Sequence, residues 1–512
     1  MDLLTFFVVI VVPIALVGLL VMPYLRVGID LADEGYLVFG TARLIQGEVP
    51  IRDFRAYDPG RYIWCALFAL VFGRSFRAVR VAMAVAMAIA LGLLADLMLR
   101  ASDAPLFSVL TCILAFVWMQ PRHKQIENLF AVLSIVLLFN LSLEGQPWDY
   151  AVLGAAMGLA AFFGLNIAVY LVAASLLLVL LDVGLPDLAA LRAFGIGLGL
   201  GLIPVIAMVV GVKGYAMEYL RRKVVALLRR GSTNLKRPLP WVWARKTPSL
   251  DAFSPARRFG IKVIFTAMPA VFLTGLILPL HVWDTPLSDP HRLIFCASCV
   301  GLVSFYHTVS RADLAHLFLP ALPLCVVISA ASLAAFDVLV ANAIITGLLV
   351  LSVWLVFQKP FHWPGYRRAR ADLVPIQYQN ERLFVTAKQA DHFKRLHQIT
   401  SDYSRPNDTI LAVPAQIGLC ALFGRRHAIY DSFPVYPSSR RSRRELILDL
   451  TTTRPKLLFI GTGTIDQRQE LIFLENHPDV TWQIVLEYTF LEQVGSCAIY
   501  VRSDVLPFST AV

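Results

Sequence analysis

The chain has 512 residues, 57% of them hydrophobic and only 16% charged. A water-soluble globular protein of that composition would aggregate, so the class excluded first is the soluble one and a polytopic membrane protein is the expectation. The formal net charge is +11, and twelve basic residues against only Glu218 and Asp251 fall between Lys213 and Arg258; on a membrane protein such a basic surface suits phospholipid or lipid phosphate, not nucleic acid.

Leu3 to Leu25 is apolar and long enough to span. It has no basic leader and no small-residue cleavage pattern, which predicts a retained helix, not a signal peptide. Directly after it come Asp30, Asp33, Glu34, Asp53 and Asp58, interleaved with Arg43, Arg52, Arg55 and Arg61. Asp33 and Glu34 sit a few residues beyond the span. A carboxylate at the membrane–water boundary loses part of its hydration, which raises its basicity and suits it to general-base work on a hydroxyl. Arginines nearby can pair with a phosphate leaving group. The plainer reading is a solvated loop whose charges pair with each other. For Asp58, a turn before "PGRY" is a further possibility. Residues 60–73, "GRYIWCALFALVFG", are apolar but too short to span, and predict a juxtamembrane helix.

Runs of about 17–25 apolar residues predict eleven spans in all. They lie near 3–25, 76–99, 104–121, 126–143, 149–165, 167–182, 193–212, 260–280, 293–309, 315–335 and 338–357, with a hinge at "GLNIA" between the fifth and sixth. The glycines of "GIGLGLGL", Gly195, Gly197, Gly199 and Gly201, follow no strand, so they predict close helix packing and not a nucleotide loop. "CASC", Cys296 to Cys299, lies inside a span and reads as core. In "GYAMEYLRRKVVALLRRG", Met217, Leu220, Val224, Leu227 and Leu228 share one helical face and Arg222 and Arg229 the other, a surface-lying amphipathic helix that gates a lipid substrate or grips anionic headgroups. "SRADLAH" places Arg311, Asp313 and His316 at the mouth of two spans, where they form a substrate site or only an Arg311–Asp313 pair.

Residues 358–375 read as a polar, basic linker, and 376–512 as a small soluble α/β domain. "DTILAVP" and "PKLLFIGTG" are strands, "AQIGLCALFG" and "SRRELILDLTT" helices, and "TWQIVLEYTFLEQVGSCAIYVRS" a closing hairpin. Gly461 and Gly463 end a strand without a helix-opening GxGxxG, so a nucleotide site is disfavoured.

The order of a span, "DEGY", an amphipathic helix, "GEVPIRDF", "YDPGRY", a short apolar helix and "FG" resembles the GT-C membrane glycosyltransferases, in particular the protein-mannosyltransferase and aminoarabinose-transferase branch, over about residues 1–145 and in layout to 357. That resemblance implies a GT-C-like domain over residues 1–357 with about eleven transmembrane helices and juxtamembrane helices. It implies transfer of a sugar from a polyprenyl-phosphate donor to a hydroxyl, with inversion, on the extracytoplasmic face of the bacterial cytoplasmic membrane. By position Asp33 is the implied base, with Glu34 beside it. Glu127 is the implied second acidic residue, Asp30 and Asp58 being further candidates to meet the acceptor. Arg61, Arg122, His123, Lys124, Arg311 and His316 are candidates to hold the donor phosphate. No cofactor is required, although Asp30, Asp33 and Glu34 could hold a divalent ion. The acceptor is a lipid, a glycan or a protein. With eleven spans and a cytoplasmic N-terminus, the acidic loop, the basic loop and the C-terminal domain all face outward, against the positive-inside rule. A transporter or flippase for a lipid-linked sugar would share the basic cavity but need no base; a non-catalytic binder would act through the C-terminal domain.

Overall fold

The computed structural model describes residues 2–143, 145–225, 228, 235–281, 288–356 and 372–506. They form two compact units, Met1–Pro23 with Met83–Gly365, and Tyr24–Ala82 with Tyr366–Val512.

The first unit is helical. Among the described residues nine helices have the length and apolarity to cross a membrane: Leu3–Tyr24, Phe76–Ser102, Arg122–Leu143, Leu165–Asp182, Leu188–Gly211, Pro255–Ile277, Asp289–Ser310, Leu314–Ala335 and Val338–Val356. The chain is therefore a multi-pass membrane protein. Two further predicted spans are the shorter helices Pro105–Trp118 and Pro147–Phe163, of 14 and 17 residues. At ~1.5 Å per residue both fall short of the ~30 Å hydrocarbon core. The predicted hinge is Gly164, extended at φ 178°, between Phe163 and the helix that starts at Leu165.

Glycine packing is explicit. A Cβ on Gly197 would lie 1.9 Å from the Ala151 carbonyl oxygen, and one on Gly201 2.1 Å from that of Ala155. Gly154 and Gly158 answer from the helix Pro147–Phe163, so the two backbones touch. Gly195 and Gly199 meet nothing within 4 Å. Around Phe265, Met268, Phe272, Phe295, Cys296 and Cys299 the interior is closed, and both cysteines are free thiols. The amphipathic stretch runs as helix Tyr215–Tyr219 and a wider turn Leu220–Val224. Glu218 pairs with Arg221 and Arg222 there. Met217, Leu220 and Leu228 are exposed, as a surface-lying helix requires; Leu227 and Arg229 lie outside the described residues.

The second unit is a mixed α/β fold. A five-stranded sheet runs in the order β4-β3-β5-β7-β6, with β3 Thr409–Val413, β4 Arg426–His427, β5 Leu457–Gly461, β6 Tyr488–Val494 and β7 Cys497–Arg502. Strands β3, β4 and β5 are parallel, and β7 joins antiparallel. One face, with Leu411, Val413, Leu458 and Ile460, packs on Leu446, Leu450, Val480 and Ile484 of the helices Arg440–Thr453 and Pro478–Glu487. The closing hairpin therefore begins at Tyr488; residues 478–487 form a helix instead, because Pro478 opens it and Val480 and Ile484 share one helical face. A separate hairpin, β1 Leu373–Tyr378 and β2 Glu381–Thr386, precedes the helix Ala387–Tyr403, whose capping box is Thr386 and Gln389. The expected linker lies outside the described residues as far as 371.

The acidic stretch belongs to this unit. Gly28 N–H donates to Phe384 O (2.8 Å) and Phe384 N–H to Arg26 O (2.8 Å), so the chain leaving the first span lies along β2. Glu381 accepts from the Phe76 and Arg77 amides (2.9 and 2.7 Å), capping from another part of the chain the helix that starts at Phe76.

Candidate functional site

The helix Asp33–Ile45 begins where Asp30 can cap it. Asp30 Oδ1 accepts from the Ala32 and Asp33 amides (2.9 and 3.2 Å), and Oδ2 is 3.4 Å from the Glu34 nitrogen. This fixes the first turn and places two carboxylates at the helix's positive end. Asp33 is half-buried, and its carboxylate oxygen comes within 4.8 Å of one on Asp30.

Glu34, expected beside Asp33 as a catalytic group, sits in a buried ion pair. It is 2% exposed, and Arg80 binds both its oxygens, Nε to Oε1 at 3.2 Å and a terminal nitrogen to Oε2 at 2.7 Å. The same guanidinium donates to the carbonyls of Leu25 (2.8 Å) and Gly28 (2.7 Å). One planar fork thereby ties the exit of the first span to the first turn carrying Asp33. Of the three carboxylates considered for a divalent ion, Asp30 and Asp33 lie together, whereas Glu34 is committed to Arg80. Sequence reasoning passed over Arg80 because it lay inside a predicted span. The signal was there: a lone arginine in an apolar run requires a partner.

Arg61 is buried in the first turn of the helix Pro59–Phe72, its guanidinium 4.9 Å from the centre of the Tyr57 ring. Asp58 is buried at the N-cap position, but its side chain makes no capping bond. The other loop arginines are structural: Arg43 pairs with Glu48, Arg52 with Asp53 (2.8 Å), and Arg55 with Asp431 (2.7 Å) and the Phe433 carbonyl (2.8 Å).

The helical unit holds the remaining candidates. Asp313 is the N-cap of the helix Leu314–Ala335, and three residues on, His316 returns to it: its amide is 3.1 Å and Nδ1 2.7 Å from Asp313 Oδ1. Lys124 Nζ lies 3.3 Å from His316 Nε2. An ammonium only donates, so Nε2 accepts and Nδ1 carries the proton given to Asp313. Arg311 binds Asp313 Oδ2 at 2.9 Å and Arg237 lies 3.8 Å from it. Two guanidiniums thus face the carboxylate directly, and the Lys124 ammonium is linked to it through His316. Burial would raise the Asp313 carboxyl, but the His316 hydrogen bond and the charges of Arg311 and Lys124 outweigh it and hold it well below the usual range. The expected Arg311–Asp313 pair is present, but within a larger cationic cluster. Arg237 was missed because it lies some seventy residues away in the basic loop. Arg122 and His123 complete the turn Arg122–Lys124, with His123 buried; Glu127 is buried one turn later. Asp30, Asp33, Glu34, Asp58 and Arg61 therefore belong to one unit, and Arg122, His123, Lys124, Glu127, Arg311 and His316 to the other.

No protein-family model matches the chain, and no curated protein does. Solved structures do. ArnT from Cupriavidus metallidurans in the apo state aligns with a TM-score of 0.54 at 13% identity, covering 98% of this chain and 99% of that one. ArnT of the same organism bound to undecaprenyl phosphate gives 0.51 at 13% identity, over 97% and 99%. At that identity the likeness is one of architecture, and it shows that this chain has the GT-C fold.

Proposed function

We propose that the protein is an inverting glycosyltransferase that moves a sugar from a polyprenyl-phosphate donor to a hydroxyl of a lipid, glycan or protein. The observation that carries this is the cluster of Lys124, Arg311 and Arg237 around Asp313 and His316 in a membrane-spanning unit, which suits a lipid phosphate. Support comes from the GT-C fold and from a structural neighbour that binds undecaprenyl phosphate. Asp33 removes the acceptor's proton, and the oxygen attacks the anomeric carbon from the side opposite the phosphate. The bond from that carbon to the phosphate oxygen breaks, its electron pair leaves with polyprenyl phosphate, and the configuration inverts. Arg122, His123, Lys124 and Arg311, with Arg61, meet the developing charge, and His316, accepting from Lys124 and donating to Asp313, holds that lysine in place. Asp30 and Glu34 position Asp33, through the cap and through Arg80. The leaving phosphate is a weak base, so the step requires no strong general acid and no cofactor. The reaction faces the extracytoplasmic side of a bacterial cytoplasmic membrane, and a reporter fused after Val512 reads that side.

The test is Asp33→Asn in purified, reconstituted protein given a radiolabelled undecaprenyl-phosphate sugar. Loss of transfer by ~10²-fold or more, with donor binding retained, is the expected result. Unchanged product formation removes Asp33 from the mechanism. Movement of the lipid-linked sugar across the bilayer without transfer identifies a flippase.

A further inference from the structure

The stretch Tyr430 to Tyr436, which follows β4, grips the loop that leads to Arg61. Arg55 is held there by backbone and side chain together. Its N–H donates to the Tyr430 carbonyl (2.9 Å) and its carbonyl accepts from the Ser432 hydroxyl (3.1 Å). One guanidinium nitrogen donates to Asp431 (2.7 Å) and to the Phe433 carbonyl (2.8 Å), and the group lies 4.9 Å from the centre of the Tyr436 ring. Four residues before Arg55, the Ile51 carbonyl accepts from the Tyr430 hydroxyl (2.7 Å). Ile51 has φ 73°, a conformation that a β-branched residue keeps only where its surroundings hold it. All of these residues belong to the second unit.

From this grip a line of rings runs to Arg61. The Phe433 ring is 5.7 Å from that of Tyr36, and Tyr36 is 4.9 Å from Tyr57, edge to face at 86°. The Arg61 guanidinium lies 4.9 Å over the Tyr57 ring. The Tyr57 amide is fixed by the hydroxyl of Tyr62 (3.1 Å), which is fully buried. Tyr36 is buried as well, so the middle of the line has no room to turn. It stands three residues after Asp33 on the same helix, and the line therefore touches the elements that carry both Asp33 and Arg61. A ring engages the face of a guanidinium, whereas the N–H donors lie in its plane, so the pose of Tyr57 sets where those donors point.

We infer that Phe433 of the C-terminal domain is a positioning residue for transfer: through Tyr36 and Tyr57 it fixes the Arg61 guanidinium where charge develops on the leaving phosphate. The inference rests on the donor reading above.

The experiment is a double-mutant cycle on the full-length reconstituted protein with radiolabelled undecaprenyl-phosphate sugar: wild type, Phe433→Leu, Arg61→Gln and both together, with rates normalised to folded protein. Leucine keeps apolar bulk and removes the ring. Phe433→Leu should lower kcat roughly two- to tenfold, the worth of one aromatic contact, with donor KM unchanged, because the interaction it weakens is made in the transition state. Added to Arg61→Gln it should cost nothing further, and Phe433→Tyr, which keeps the ring, should restore kcat. Tyr57→Leu, at the other end of the line, should repeat the pattern and carries the test if Phe433→Leu does not fold. A wild-type kcat in the leucine variants, full activity of Arg61→Gln, or losses that multiply in the double variant overturn the inference and leave the transferase reading standing. Absence of product from wild type overturns that reading itself.

Discussion

Glu34 and Arg80 give the sharpest test of how the acidic turn is organised. Both side chains are almost completely buried, at 3% and 2% exposure. Arg80→Met strands the Glu34 carboxylate and also frees the carbonyls of Leu25 and Gly28. Breaking one side of a buried pair costs roughly 3–5 kcal/mol, and each unsatisfied carbonyl adds about 1–3 kcal/mol where water cannot reach it. Glu34→Gln keeps an acceptor for the guanidinium and costs less, on the order of 3 kcal/mol. The double variant Glu34→Met with Arg80→Met should be less damaging than the two losses added, because no buried charge is left alone. The assay is thermal unfolding of the detergent-purified chain alongside transfer activity. A midpoint drop on the order of 10 °C for Arg80→Met fits a unit of about two hundred residues. If Glu34→Gln keeps the wild-type midpoint and abolishes transfer, Glu34 is a catalytic group and its assignment to positioning is wrong.

Three more outcomes follow from other parts of the molecule. Gly197→Leu or Gly201→Leu should prevent assembly of a monodisperse protein in size-exclusion chromatography, since the new Cβ meets backbone of the neighbouring helix, whereas Gly195→Ala and Gly199→Ala should behave as wild type. His427 is buried and donates from Nδ1 to the Ile429 carbonyl (3.0 Å); burial first, and then Arg43, push it down to about 4. It is therefore neutral when folded and protonates more readily when unfolded. Its stability contribution is intact above pH ~6.5 and is lost as the pH falls toward 4, by up to about 3 kcal/mol; His427→Gln should flatten the denaturation midpoint across that window, and an unchanged pH profile would refute the buried neutral imidazole. Chelation with EDTA should leave transfer intact, and activity lost to EDTA but restored by magnesium or manganese would place an ion on Asp30 and Asp33.

The sequence alone determined what depends on local composition and period. Apolar runs were long enough to mark the helices, because lipid leaves a backbone no other way to satisfy its amides. The glycine repeat marked close packing, and β3 and β5 were legible as short apolar runs between turn residues. Asp33 stood out by its place at the end of a span. Only the tertiary structure decided which charge meets which. Arg80 is 46 residues from Glu34, Lys124 is 192 from His316, and Arg55 is 376 from Asp431. Pairing at such range is fixed by how whole helices and strands pack, and nothing in the neighbourhood of any one of these residues records it. The helix Pro478–Glu487 was misread for a related reason: a short apolar segment suits strand or helix alike, and its place against β3 and β5 decides between them.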